Sequence, residues 1–152
     1  MASSSLADSL LSDEQRSIIE SAIQHAELRT SGEIRVHLDD FCDEQVLDRA
    51  AYVFAQLEMH RTEQRNGVLI YVALQDRKLA IIGDQGIHAK VGAGFWNSTF
   101  DLIVSHLKKD EWVEGLCAGV MKAGEELKKH FPRASDDVNE LSNTITTGKI
   151  KS

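Results

Sequence analysis

Cysteine is scarce in this chain, two in 152 residues, and proline occurs once. Cys42 and Cys117 lack metal-ligand spacing and are too few for a disulfide framework, so the sequence reads as that of a cytoplasmic protein with reduced thiols. Neither thiol opens a phosphatase signature with arginine six residues on: Asp48 and Ala123 stand at those positions. Basic charge is also short. Seventeen Lys and Arg against 24 Asp and Glu give a formal charge of −7, which argues against nucleic acid or an anionic membrane as the main partner. No apolar run approaches the ~18 residues of a membrane span. The start, MASSSLADSLLSDEQ, has neither the basic flank nor the apolar stretch of a signal peptide. HExxH, P-loop, EF-hand and GxSxG patterns are all missing. The six histidines, at 25, 37, 60, 88, 106 and 130, are scattered without ligand spacing.

What remains is a composition suited to one globular α/β domain. At this length folding removes roughly 70% of the unfolded chain's surface from water, enough for a core without staples. Residues 1–11 read as a flexible start, 12–145 as the domain and 146–152 as a flexible tail. Ser12 and Gln15 fit a capping box ahead of Ile18, Ile19, Ala22, Ile23 and Ala26 at helical spacing. Residues 33–38, EIRVHL, alternate as a strand with one wetter face near a sheet edge. A helix over 43–59 follows, its buried side carrying Val46, Leu47, Ala50, Val53, Phe54 and Leu57. Residues 68–74 form an apolar run without alternation, as in a strand covered on both faces. Strand, helix and strand make a right-handed parallel βαβ unit. Four residues, 75–78, then separate this strand from a second apolar run at 79–82, too few for a crossover, so the two form an antiparallel hairpin. A short turn over 85–91 and helices over 96–107 and 111–131 complete the sandwich, with a brief helix over 136–145.

This topology brings distant polar residues to one rim. The parallel strands start together at Glu33 and at Arg65-Asn66-Gly67, and the antiparallel strand ends beside them at Gly83-Asp84. Glu33, Asn66 and Asp84 offer two carboxylates and a carboxamide oxygen, a set suited to a hard cation. The plainer alternative stays open, in which Glu33 and Asp84 pair with Arg65 and cap loops. Asp39 and Asp40, at the opposite end, rank second as a site, with a helix N-terminal role for Asp40 or Asp43 preferred.

The segments SGEIRVHL, RNGVLIYVALQDRKLAIIGDQGI, GFW, EGLCAGVMKAGEELKKHFP and the late DVNEL together resemble the TPM domain family, over residues 12–141. The resemblance is to its short, stand-alone bacterial members. It implies an α/β/α sandwich, association with divalent metal, calcium before magnesium, and a role in interaction or assembly, possible phosphatase activity being implied by a plant member's acid phosphatase assignment. Asp84 matches the aspartate of the family's GDxG piece and Asn66-Gly67 its Asn-Gly. Arg65 stands where longer members often carry an acid, which removes an oxygen ligand, adds positive charge and makes Arg65 a candidate ligand-holding group. Asn139 and Glu140 match the short-member pattern without a role being assigned.

Overall fold

The computed structural model describes residues 12–92, 94–133 and 141–148. Ser12 caps the first helix, α1 (Asp13–Glu27), through the reciprocal bonds expected with Gln15. Strand β1 (Glu33–Asp39), helix α2 (Val46–Gln56) and strand β2 (Gly67–Ala73) form the βαβ unit, with Ile34 beside Val68 and Val36 beside Ile70 in parallel register. A four-residue connection leads back through β3 (Lys78–Gly83), antiparallel to β2. The short α3 (Gln85–His88), then α4 (Asn97–Leu107) and α5 (Trp112–Lys128), follow. The expected α/β/α sandwich with a small mixed sheet is what the chain adopts.

The sheet also takes in Thr146 and Thr147, which the sequence places in a tail. They form β4 (Thr146–Thr147), parallel to β1 beside His37 and Leu38, for a strand order β3-β2-β1-β4. The brief helix expected over 136–145 lies partly outside the described residues, and Leu141–Ile145 are not helical. Helix α2 is shorter than expected. Leu47, assigned to its buried side, is 62% exposed, while Ala50 and Val53 face the sheet.

Two apolar layers result. On one face Ile34, Val36, Leu38, Val68, Ile70 and Val72 pack against α1, α4 and α5. On the other, Leu69, Tyr71, Ala73 and Ala80 pack under Ala50, Val53 and Met59. The sequence reading of β1 needs a correction. Its second face, Glu33, Arg35, His37 and Asp39, is buried rather than wet, because α2 and residues 141–148 cover it.

Glu27, at the end of α1, is buried too, and its Oε2 accepts the amide of Ile34 at 2.8 Å. Burial raises its carboxyl from the ordinary 4.5 to about 7, against the lowering effects of that amide and of Arg133. The folded pKa lies above the unfolded one. The stability tied to the protonated form is therefore complete below about 4.5 and lost as pH rises through about 7. Urea unfolding at a series of pH values should give a decline of about 3 kcal/mol across that window in the native chain. The decline should be missing in Glu27→Gln; an unchanged pH profile in that variant would contradict the assignment.

Candidate functional site

The register brings the rim residues together as backbone neighbours. Glu33 lies beside Gly67, its amide donates to Asn66 O at 3.3 Å, and the Asp84 amide donates to Gly67 O at 3.0 Å. All three side chains are buried. Their immediate partners differ. Glu33 faces the α2 side with Arg35, and its Oε1 accepts the amide of Leu141. Asn66 Nδ2 donates to Ser31 Oγ at 3.3 Å, and its Oδ1 accepts no hydrogen bond among the described residues.

Asp84 is held by Arg65 through two parallel bonds, Nε to Oδ2 at 2.8 Å and Nη2 to Oδ1 at 2.9 Å. It also caps α3 by accepting the Gln85 amide at 2.7 Å. Arg65 has φ of 52°, and this left-handed turn lets its carbonyl accept the Gly86 amide at 2.8 Å while its side chain reaches back to Asp84. The guanidinium side chain is 40% exposed, so it forms a lid that water can reach. Among the described residues no three His, Cys, Asp or Glu side chains gather as a ready metal cluster. The rim is a mixed set, two carboxylates, one amide oxygen and one competing cation.

The other end of the sheet, which sequence reasoning ranked second through Asp39 and Asp40, carries a network whose further members it missed. Asp39 accepts bonds from Tyr71 Oη at 2.5 Å and Arg49 Nε at 2.9 Å, and lies 3.0 Å from His37 Nε2. Burial alone would raise the Asp39 carboxyl, but the bonds from His37, Arg49 and Tyr71 outweigh it and bring it down to about 2. His37 Nδ1 reaches Thr146 Oγ1 at 2.8 Å, and its ring stacks on Tyr71 at 5.8 Å. Beyond Asp39 the chain opens into a cavity of about 510 Å³ lined by Asp40, Asp43, Glu44, Arg49 and the exposed Phe41 and Tyr52, among others. The signal for this network was present as the i, i+2 series His37, Asp39 on one strand face, but the partners came from α2, β2 and the tail.

The glycine of the GDQG segment has a steric reason. A Cβ at Gly86 would lie 2.0 Å from Gln64 O and 2.6 Å from Arg65 O, both backbone atoms. Gly86→Ala should therefore push the β3–α3 corner off the Arg65 turn and cost roughly 3 kcal/mol. Thermal unfolding measures this. A variant as stable as the native chain, with the Arg65 and Asp84 amide resonances unmoved, would show that the corner is not tightly packed.

The model of the TPM domain matches residues 6–126. No curated protein matches the chain. Among solved structures, the BA42 protein of the psychrophilic bacterium Bizionia argentinensis is 46% identical, with a TM-score of 0.86 over 91% of this chain and 95% of that one. The N-terminal domain of a P. gingivalis protein is 20% identical with a TM-score of 0.64, covering 80% of this chain and 79% of that one. That of the cg2496 protein from Corynebacterium glutamicum is 12% identical with the same TM-score, covering 88% and 83%. These two share the fold. By the family match and the 46% identity together, this chain belongs to the TPM domain family.

Proposed function

We propose that this TPM domain binds a divalent cation at the rim, Ca²⁺ ahead of Mg²⁺, and acts through that binding and through contact with other proteins rather than by turnover. The observation that carries the reading is Asn66 Oδ1, a buried oxygen without a donor among the described residues, at the entry to β2, the strand between those that bring Glu33 and Asp84. An oxygen of this kind is costly unless something supplies positive charge or a hydrogen bond. The donor set is all hard oxygen. Ca²⁺ accepts irregular shells completed by water, whereas Mg²⁺ demands near-octahedral geometry. Arg65 is the built-in competitor, since a cation reaching Asp84 must displace its guanidinium into water. Modest affinity follows. A reducing, cytoplasmic setting fits the two free cysteines.

Two other readings have particular support. The cation could instead sit at the opposite mouth, where Asp43 and Glu44 are exposed beside Asp40. A metal-assisted phosphomonoesterase would draw on Ser31, whose hydroxyl lies beside Asn66, with Arg65 holding phosphate. Yet Ser31 Oγ accepts from Asn66 and from Gln64 Nε2 at 3.2 Å, and these amides cannot take its proton. Cys42 is buried and its Sγ donates to Glu44 O. Among the described residues neither group has the activating base a nucleophile needs.

A calcium titration followed by amide NMR separates these readings. The rim reading expects saturable shifts at Glu33, Asn66 and Asp84, weaker binding in Asp84→Asn, and binding about tenfold tighter or more in Arg65→Asp. Shifts confined to residues 40–44 and abolished by Asp43→Asn would move the site to the opposite mouth. No saturable shift at either end would overturn cation binding, and phosphatase turnover lost in Ser31→Ala would favour the enzyme.

A further inference from the structure

Four polar side chains, Glu33, Arg35, His37 and Asp39, line the buried face of β1. Glu33 receives the Leu141 amide, His37 bridges Asp39 and Thr146, and Asp39 is neutralised by Arg49. Arg35 is the permanent cation of the set. It is 9% exposed, and among the described residues its Nε has no hydrogen-bond partner, while its Nη2 donates to Thr144 O at 3.3 Å. No carboxylate among the described residues pairs with it; burial, the only influence on its ionisation, works against the charged form. A guanidinium stays charged at any ordinary pH, so a buried one without a counter-ion is an expensive arrangement.

That guanidinium forms part of the wall of a cavity of about 410 Å³, closed by Leu57, Glu58 and Arg61 on one side and by Leu141 and Ser142 on the other. Arg61 is well exposed and pairs with Glu58 at 3.1 Å across the surface, so both side chains are free to rearrange. The charge balance of the lining is two guanidinium groups against one carboxylate. Leu57 and Leu141 add apolar wall, which a bare inorganic ion would not use.

We propose that this cavity binds a small organic oxyanion, a carboxylate or a phosphate ester, with the Arg35 guanidinium as its anchor and Arg61 folding over it from the surface. The arginine fork matches either anion through paired N–H donors. Binding would set against Arg35 a counter-charge that no carboxylate of the described residues provides, and Glu58 would turn out to water as Arg61 changes partners. The cavity adjoins the rim through Leu141, whose amide bonds Glu33, but none of Glu33, Asn66 and Asp84 lines it.

The test is a titration of the ¹⁵N-labelled full chain at constant ionic strength, with sodium butyrate, inorganic phosphate and sodium chloride as probes. The amides of Arg35, Arg61 and Ser142 should shift saturably with butyrate or phosphate and not with chloride. Saturation by butyrate alone identifies a carboxylate site, and saturation by phosphate alone a phosphate site. Arg61→Gln alters an exposed side chain and should weaken binding about tenfold, the loss of one charge-assisted contact. Arg35→Met should abolish binding and raise the melting temperature of the ligand-free chain, because it removes a buried charge without a partner. Absence of saturable shifts with both oxyanions, equal shifts with chloride, or unchanged affinity in Arg61→Gln would each overturn the proposal.

Discussion

The carboxylate of Asp39 sits in the interior at the end of β1, with Tyr71, Arg49 and His37 around it. Each of those partners belongs to a different part of the fold. Tyr71 is on β2, Arg49 on α2, and His37 leads on to Thr146 in β4. Arg49 Nη2 reaches further, to Gly148 O at 3.4 Å, and the Gly148 amide donates to Leu38 O at 2.9 Å. One buried charge thus links two neighbouring strands, the crossover helix and the carboxyl-terminal segment. Tyr71 is correspondingly locked in its neutral form, since burial and the neighbouring carboxylate both push its phenol above the ordinary range. A buried ion pair is not by itself a source of stability. Here its consequence is positional, because the groups around Asp39 must be where they are for the charge to be tolerated.

The same constraint explains the rest of the polar face. Once β1 presents Glu33, Arg35, His37 and Asp39 to the α2 side, something must cover and satisfy them. Residues 141–148 do so along their length. The Leu141 amide meets Glu33, Thr144 O meets Arg35, and Thr146 meets His37. From the other side of the sheet, Glu20 on α1 accepts the Ile145 amide at 3.0 Å. Both ends of the sheet use an arginine to hold an aspartate, Arg65 with Asp84 and Arg49 with Asp39. Among the described residues the middle arginine, Arg35, has no such partner, and that difference sets it apart chemically. The candidate binding chemistry of this domain therefore divides by place. A cation is proposed for the rim, where oxygens outnumber guanidinium groups, and an anion for the cavity at Arg35.

Much of this architecture was legible in the residues. Uninterrupted apolar character marked β2 as central, and the four-residue connection required β3 to return antiparallel, so Glu33, Asn66 and Asp84 could be placed on one rim before any coordinates. The pairing of Arg65 with Asp84 was one of two open readings, and the bidentate geometry depends on the left-handed turn at Arg65, which no residue type signals. The alternation of EIRVHL identified two faces of β1 but could not say which was wet. Polar residues were read as solvated, whereas their cover lies more than a hundred positions further along the chain. Leu47 shows the converse. Helical periodicity placed it on the buried side, and the short α2 leaves it at the margin of the sheet beside Phe100 and Trp96, in an open apolar hollow.

The positional role of Asp39 is the central claim, and Asp39→Asn tests it most directly, because the substitution keeps the shape and removes the charge. The variant should lose about 3 kcal/mol of unfolding free energy in urea, as expected when one partner of a buried ion pair is removed. The Gly148 amide should also lose its protection from hydrogen exchange as the tail detaches from Leu38. Stability within about 0.5 kcal/mol of the native chain, with Gly148 still protected, would contradict the account.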